Sequence, residues 1–186
     1  FAVEEAPAAY AVLNDRSVER AGVVLTDRSS PPAPTRFTIA LSDFAILAAN
    51  VRVPIDPDQL EQISARTLAY YSRRAEDFRE GTRDHDVSQN IAALLRHVRG
   101  QAPFAILDFG CGPGRDLKTF TRLGHQAIGL DGTPSFVAMA RAESGCTVWL
   151  QDFLKLELPP CHFDGIFANA SLFHVPSQEL PRVLGQ

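Results

Sequence analysis

The stretch Phe104-Ala-Ile-Leu-Asp-Phe-Gly-Cys-Gly-Pro-Gly-Arg-Asp-Leu117 decides the fold of this chain. An apolar run ends around Asp108, glycines then occupy three alternate positions, and a helical pattern follows. Glycine permits a tight turn and lets the backbone approach a ligand, while the following helix presents free N–H groups. Structural turns also use glycine, but the position between a strand and a helix favours a nucleotide-like site.

The chain beyond this turn alternates between strand and helix patterns. Strands are predicted at residues 104–109, 125–130, 146–150 and 163–168; helices are predicted at 117–123, at 133–143 and from Ser177 onward. Such alternation with short, glycine-marked turns is typical of a parallel sheet that carries helices on its faces. The sequence therefore predicts the α/β class.

Helical patterns also precede the turn. Asp56-Pro57 is a typical N-cap followed by proline, and an apolar stripe continues to about Arg79. Asp86-Val-Ser-Gln89 resembles a capping box for a second helix that ends near Gly100. We therefore expect lid helices within residues 57–98 and a Rossmann-like core from 103 to 186, which together form a domain over 56–186.

Residues 1–53 form a separate N-terminal segment of uncertain fold. Apolar residues from Val3 to Leu13 have helical spacing, and Gly22-Val-Val-Leu25 is typical of a strand. The proline-rich stretch 29–35 is predicted to be a linker, and residues 37–53 are apolar without a clean period.

Composition excludes several classes of function. The 186 residues are 45% hydrophobic and 22% charged, which is typical of a globular protein. A net charge of −4 gives no reason to expect nucleic acid or an anionic membrane as partner. No apolar run reaches the ~20 residues that span a bilayer. The N-terminus lacks the features of a signal peptide and begins without Met, as a fragment or processed product would.

The three cysteines are widely spaced and odd in number, which indicates a reduced, cytoplasmic protein rather than a disulfide framework. Neither the cysteines nor the five histidines have metal-site spacing, so we expect no metal.

The spacing after the glycine turn distinguishes between cofactors. A dinucleotide fingerprint needs a third glycine at position 115, where the chain has Arg115. Asp131 follows Gly110 by 21 positions (131 − 110), near the ~20-residue interval at which an acid meets ribose hydroxyls. Its carboxylate would accept hydroxyl donors and repel a 2′-phosphate. Alternatively, Asp131 only begins a turn with Gly132.

Together these motifs resemble the class I S-adenosylmethionine-dependent methyltransferases over about residues 56–184, most specifically at the glycine turn. The resemblance implies that the cofactor S-adenosyl-L-methionine is bound by Asp108, Gly110, Cys111, Gly112, Gly114, Asp131, Gly132, Asp152, Phe153, Asn169 and Tyr70. Asp152 would lie near the adenine, and Tyr70 would belong to a helix that covers the pocket. Tyr70 fits a core position equally well, and Cys111 is more simply a small space-filling residue.

The family uses the strand order 3-2-1-4-5-7-6, whereas this chain ends after four core strands. We therefore expect the order 3-2-1-4 in an incomplete seven-stranded domain, with strand four exposed unless another segment covers it. The apolar residues 37–53 are the candidate cover. Without a cover, the unpaired strand edge would promote self-association.

The resulting functional hypothesis is methyl transfer to a small-molecule acceptor. Orientation of donor and acceptor supplies much of such a rate, so no residue need be an obligatory catalyst. His174 is the candidate general base, although it also fits a loop-packing role. Two alternatives stay open at this stage: a nicotinamide-dependent oxidoreductase and a non-catalytic, cofactor-binding remnant.

Overall fold

The computed structural model describes residues 55–186 in full and, before them, only the backbone of four short strands. These strands are β1 (Ala2–Val3), β2 (Ala8–Val12), β3 (Ala21–Thr26) and β4 (Phe37–Thr38). The strand predicted around Val23 is confirmed, but the helical spacing from Val3 to Leu13 gave a wrong prediction because β2 occupies its centre. The predicted linker 29–35 and residues 39–53 lie outside the described residues.

Three helices precede the core: α1 (Pro57–Arg73), α2 (Ala75–Thr82) and α3 (Ser88–His97). The Asp56 side chain accepts a hydrogen bond from the Asp58 N–H at 2.8 Å, and the Gln59 side chain accepts one from the Asp56 N–H at 3.2 Å. These reciprocal bonds fix the start of α1. The predicted continuous helix to Arg79 is instead divided at Arg74, whose φ of −117° and ψ of 17° are not helical.

The capping box predicted at Asp86 does not form. Asp86 accepts from the Ser88 N–H at 2.9 Å, and α3 begins at Ser88 with Val87 as the residue before it. The side chain thus bonds two residues ahead, in the local turn that aspartate favours, rather than three residues ahead.

The core alternates strands and helices as predicted. In chain order it contains β5 (Ala105–Phe109), α4 (Arg115–Arg122), β6 (Gln126–Asp131), α5 (Pro134–Ser144), β7 (Thr147–Leu150), β8 (Gly165–Asn169), a 3₁₀ turn (Leu172–His174) and α6 (Leu180–Leu184). The final helix was expected from Ser177 and begins three residues later.

The described strands of the main sheet have the order β2-β3-β8-β5-β6-β7. Its four core strands β7, β6, β5 and β8 are parallel, which confirms the predicted order 3-2-1-4 and the Rossmann-like α/β class. Because parallel strands end at one edge, Asp108, Asp131 and Asn169 are brought to the same side of the sheet.

Strand four of the prediction, β8, is not an edge strand. β3 pairs with it antiparallel, with Ala21 opposite Asn169 and Leu25 opposite Gly165. The cover therefore comes from residues 21–26 of the N-terminal segment, whereas residues 39–53 of the apolar stretch that the sequence suggested lie outside the described residues. The condition on which self-association was expected, an unpaired β8, is not met in this structure.

Side chains on the two faces of β5 bury against different helices. Ile106 packs with Ile91 and Leu94 of α3, whereas its neighbour Leu107 packs with Phe163 and Val183. Ile106 and Leu107 are both fully buried, as alternation along a strand between two helical layers requires. No helix in the described part of the chain is long and apolar enough to cross a membrane.

Candidate functional site

A cavity of about 200 Å³ opens at the carboxyl edge of the parallel strands. The loops after β5, β6, β7 and β8 form its floor, and α1 and α2 close it from above. Those loops contribute Gly110, Cys111, Gly112, Asp131, Gly132, Asp152, Phe153, Asn169 and His174. The structure thus brings nine of the twelve predicted cofactor-site and candidate catalytic residues to one cavity.

The loop after β5 is held by the neighbouring strand. The N–H groups of Gly110 and Cys111 both donate to the Leu130 carbonyl, at 2.8 and 3.1 Å. Gly114, predicted in the site, lies outside the lining and begins α4 in a left-handed conformation. A Cβ there would lie 2.8 Å from the Ala140 Cα, so Gly114 permits the close packing of α5.

Gly112 differs from the other glycines of the loop. Its φ is +51°, and a Cβ at this position would meet only Phe78, at 3.7 Å. A Cβ on Gly110 would instead lie 2.4 Å from the Ser171 Cβ. Packing therefore explains Gly110, whereas Gly112 leaves its backbone accessible from the cavity.

Asp131 forms hydrogen bonds with both the loop after β5 and the loop after β6. One carboxylate oxygen accepts from the Gly112 N–H at 3.0 Å, and the other accepts from the Thr133 N–H at 2.8 Å. Burial raises the pKa of this carboxyl, and the backbone donors partly oppose that rise. Backbone donors thus hold the Asp131 carboxylate in the lining of the cavity.

Asp108 is buried near this loop, although it does not line the cavity. Its side chain is 2% exposed, and Oδ2 has no hydrogen-bond partner among the described residues. Burial raises the pKa of the Asp108 carboxyl well above its usual range, and the nearby Asp116 charge raises it further. Unpartnered buried acceptors are rare, because each costs free energy.

Asp152 and Phe153 follow β7. Asp152 accepts from the Leu154 N–H at 2.9 Å and from the Ser64 hydroxyl at 2.7 Å. The Phe153 ring lies 4.3 Å from the Phe109 ring, centroid to centroid. Ser64 was missed by the sequence analysis, and it links α1 directly to this edge of the site.

Asn169 ends β8 beside a second asparagine. Its side-chain oxygen accepts from the Asn90 amide at 3.2 Å. Asn90 is buried on α3, and its own oxygen has no hydrogen-bond partner in the described residues. No sequence motif marked Asn90, because a lone polar residue within an amphipathic helix gives no local signal.

The structure does not bring Tyr70 to the cavity. Tyr70 is 47% exposed, and its hydroxyl accepts from Arg74 at 2.9 Å. The neighbouring Tyr71 lines the cavity instead, since α1 turns Ser64, Thr67, Leu68 and Tyr71 inward at the spacing i, i+3, i+4 and i+7. That spacing is the signal that would have selected Tyr71.

Tyr71 joins the lid to the loop after β8. Its hydroxyl lies 3.0 Å from Nε2 of His174, and its ring contacts the rings of Phe78 and Phe136. Burial lowers the pKa of His174 below its ordinary value of 6.5, which favours the neutral ring at pH 7. Burial also raises the pKa of the Tyr71 hydroxyl, so that group stays protonated.

The remaining candidates are inert or structural. Burial, with Asp108 and Asp131 nearby, raises the pKa of the Cys111 thiol, which is therefore no nucleophile. Arg115 donates to both oxygens of Asp116 and to the Thr82 carbonyl. Within the described residues, no group of three His, Cys, Asp or Glu side chains could hold a metal ion.

Comparison with known proteins agrees with this arrangement. Residues 106–186 match a family described as "Methyltransferase domain". The fold is similar to magnesium protoporphyrin IX methyltransferase from Synechocystis PCC 6803 with bound SAM, with a TM-score of 0.52 and 17% identity over 72% of this chain and 71% of that one.

Two further structures are less similar. The same Synechocystis enzyme with bound SAH has a TM-score of 0.43 and 18% sequence identity, over 51% of this chain and 54% of that one. The 1,6-didemethyltoxoflavin-N1-methyltransferase of Burkholderia thailandensis has a TM-score of 0.38 and 16% sequence identity, over 81% of this chain and 54% of that one. This chain thus spans about half the length of each of these two matched chains. Residues 106–186 thus match a methyltransferase-domain family, and the fold of the chain is similar to that of a methyltransferase solved with bound SAM.

Proposed function

We propose that the cavity binds S-adenosyl-L-methionine and that the chain transfers its methyl group to a small-molecule acceptor. The observation that carries the proposal is the 3.0 Å bond from the Gly112 N–H to Asp131. It places an accessible glycine backbone directly beside a buried carboxylate. A cofactor that combines an amino-acid part with a ribose needs this pair of features side by side.

The residues present fit this cofactor. Asp131 lines the cavity and is the proposed acceptor for the ribose hydroxyls, and the bond from the Thr133 N–H, across the turn at Gly132, orients that carboxylate. Asp152 and Phe153 would meet the adenine, while Gly110, Cys111, Gly112 and Gly114 shape the loop around the methionine part. Asn169 stays in the proposed contact set, and Tyr71 takes the place that the sequence analysis gave to Tyr70.

Asp108 also fits such a cofactor. An unpartnered buried carboxylate oxygen beside the glycine loop favours a positively charged group in the cavity, and the cofactor carries an ammonium and a sulfonium. The proposed role of Asp108 is therefore electrostatic, since the residue does not line the cavity itself.

The bound cofactor would supply an electrophilic methyl group. The chain's own contribution is to hold donor and acceptor in line, which can contribute about 7–11 kcal/mol to catalysis. Helix α1 excludes water through its contacts from Ser64 and Tyr71. His174, neutral at pH 7, is the residue proposed to accept a proton from the acceptor.

A nicotinamide oxidoreductase is not favoured. Position 115, where a dinucleotide site needs glycine for close helix packing, holds an arginine that is bonded to Asp116 and Thr82. A non-catalytic remnant and an enzyme would both bind the cofactor, so a test for methyl transfer distinguishes the two.

The first experiment measures S-adenosylhomocysteine and NAD⁺ binding to the full chain by calorimetry. We expect binding of S-adenosylhomocysteine alone, and Asp131→Ala should weaken it by roughly ten- to a hundredfold, since buried hydroxyls lose their acceptor. Asp86→Ala is the matched control, because Asp86 makes the same kind of backbone bond outside the cavity. Binding of NAD⁺ alone, or unchanged affinity in Asp131→Ala, would contradict the proposal.

The second experiment tests catalysis. The full chain is incubated with methyl-labelled cofactor and a cell extract, and labelled products are identified by mass spectrometry. Labelled small molecules that disappear with His174→Gln support an enzyme with His174 as base. Cofactor binding without any labelled product would identify the remnant instead.

A further inference from the structure

Four aromatic rings form a continuous row whose two middle members belong to the cavity lining. Tyr70 contacts Tyr71 at 5.4 Å, Tyr71 contacts His174 at 5.2 Å, and His174 contacts Phe173 at 4.1 Å, centroid to centroid. Tyr71 and His174, in the middle of the row, line the cavity. We call these four residues the ring row.

The two ends of the ring row face solvent. Tyr70 is 47% exposed and Phe173 is 72% exposed, and they are the two aromatic residues among the exposed large hydrophobic side chains of the described part of the chain. A single exposed apolar side chain needs no explanation, but aromatic rings grouped beside a cavity are typical of a ligand surface. Arg74 lies over the Tyr70 ring at 5.4 Å and bonds its hydroxyl, which holds that ring in place.

The middle of the ring row is polar. The Tyr71 hydroxyl and His174 Nε2 lie 3.0 Å apart and form a hydrogen bond that joins the lid helix α1 to the 3₁₀ turn. A neutral imidazole beside a hydroxyl can accept a proton from a second hydroxyl that joins the pair. The chemistry of this pair therefore suits a hydroxyl group, which can donate to the imidazole nitrogen.

We propose that the methyl acceptor is a planar aromatic compound with a phenolic hydroxyl, whose ring packs on Phe173 while its hydroxyl bonds to the Tyr71–His174 pair. This proposal rests on the proposed function and names its substrate class. The exposed, flat Phe173 ring lies beside the proton acceptor His174, as binding of a hydroxylated aromatic ring requires.

The reaction balances with these groups. The phenolic proton passes to a ring nitrogen of His174, and an oxygen lone pair forms the new bond to the methyl carbon. The bond between that carbon and sulfur breaks, and its electron pair stays on the sulfur, which becomes a neutral thioether. The His174 imidazolium then releases its proton to water.

The test uses the full chain saturated with S-adenosylhomocysteine, so failure of cofactor binding, and of the proposed function, is detected first. Calorimetry then measures binding of 2-naphthol and of decahydro-2-naphthol, which has the same carbon skeleton without planarity. We expect 2-naphthol to bind at least about tenfold more tightly. Equal affinity of the two compounds, or binding of neither, would overturn the ring-row proposal while leaving the cofactor site intact.

Single substitutions test whether the ring row forms the acceptor-binding surface. Phe173→Ala should weaken 2-naphthol binding about tenfold and leave S-adenosylhomocysteine affinity unchanged. Leu123→Ala is the control, because Leu123 is 53% exposed but lies at the end of α4, outside the cavity lining. If both variants change 2-naphthol affinity equally, the ring row is not the acceptor surface.

Tyr71→Phe should reduce the preference for 2-naphthol over naphthalene, and an unchanged preference would contradict the role of the hydroxyl.

Discussion

Gly112 is required because it leaves space above its own backbone. Its neighbours at 110 and 114 are glycine because a Cβ would collide with Ser171 and Ala140. At Gly112 a Cβ would meet only Phe78 at 3.7 Å, yet the φ of +51° still disfavours any other residue. Backbone conformation and access to the cavity, rather than packing, thus account for this glycine.

Gly112→Val should therefore abolish detectable S-adenosylhomocysteine binding, because the branched side chain would fill the space above the loop. Gly124→Val is the matched control: Gly124 has a φ of +85° and no atom within 4 Å of a Cβ, but it lies outside the cavity. Both variants should lose about 1–2 kcal/mol of unfolding free energy. Calorimetry that finds the same affinity in both would remove Gly112 from the site.

The buried position of Asp108 is expected to lower the stability of the folded protein. Asp108→Asn should raise the free energy of unfolding at pH 7 by about 1–3 kcal/mol, because burial disfavours the carboxylate form of Asp108 and imposes no such penalty on a neutral amide. A carboxyl with a raised folded pKa contributes stability below its unfolded pKa of 3.8 and loses it as pH rises. The advantage of the variant should therefore shrink as the pH falls from 7 to 5.

Urea unfolding at several pH values measures this difference. Asp84→Asn, at an exposed position, should show no such pH-dependent gain. We also expect Asp108→Asn to bind S-adenosylhomocysteine more weakly, as its proposed electrostatic role requires. A variant that is both no more stable and equally good at binding would refute both parts of this account.

Helix α1 is the element that completes the cavity. It contacts the floor through Ser64 and Asp152 at one point and through Tyr71 and His174 at another, and Leu68 packs over Gly132, where a Cβ would lie 2.7 Å from its side chain. Two hydrogen bonds and one packing contact thus fix the helix along its length. Its exposed ion pair between Glu61 and Lys155 adds little.

Ser64→Ala should lower S-adenosylhomocysteine affinity by roughly two- to tenfold, because Asp152 loses one of the two donors that orient it. Ser135→Ala serves as the control, since the Ser135 hydroxyl is buried without a partner in the described residues and does not line the cavity. Equal affinity in the two variants would show that the lid contact does not support the site.

Element patterns predicted the core better than the lid. The strands from β5 to β8 are short apolar runs between glycine turns, so local sequence located them to within about two residues. The break at Arg74 and the choice of Tyr71 over Tyr70 depend on how α1 packs over the loops, which local periodicity does not contain. The Asn90–Asn169 bond joins residues 79 positions apart, and only the tertiary fold brings them together.

At the scale of the whole molecule, the sheet is mixed although its core is parallel. β3 runs antiparallel to β8 and supplies the hydrogen bonds that an edge strand would lack. The apolar pattern of residues 37–53 suggested that they cover β8, whereas strand pairing depends on backbone groups and so does not require the most apolar stretch. β3 was identifiable as a strand, but its partner was not.

Val23→Pro combined with Val24→Pro should uncover β8. Consecutive residues direct their N–H groups to opposite sides of a strand, so one of the two prolines removes a bond to β8 whatever the exact pattern. We expect light scattering to show self-association of this variant and a monomer for the unchanged chain. Ser30→Pro, placed next to existing prolines, is the control. A monomeric double variant would show that β3 does not protect the sheet.

The pairing of β3 with β8 also has a consequence for biosynthesis. Ala21 lies opposite Asn169, 148 positions later in the chain (169 − 21). At translation rates of about 5–20 residues per second, β3 leaves the ribosome roughly 7 to 30 s before its partner exists. During that interval β2 is the one partner of β3, among the described strands, that has been synthesised, and the other side of β3 is open to chaperones or to neighbouring nascent chains. The parallel core can assemble as soon as β8 emerges, so docking of β3, which closes the longest loop, is expected to be the last step of folding.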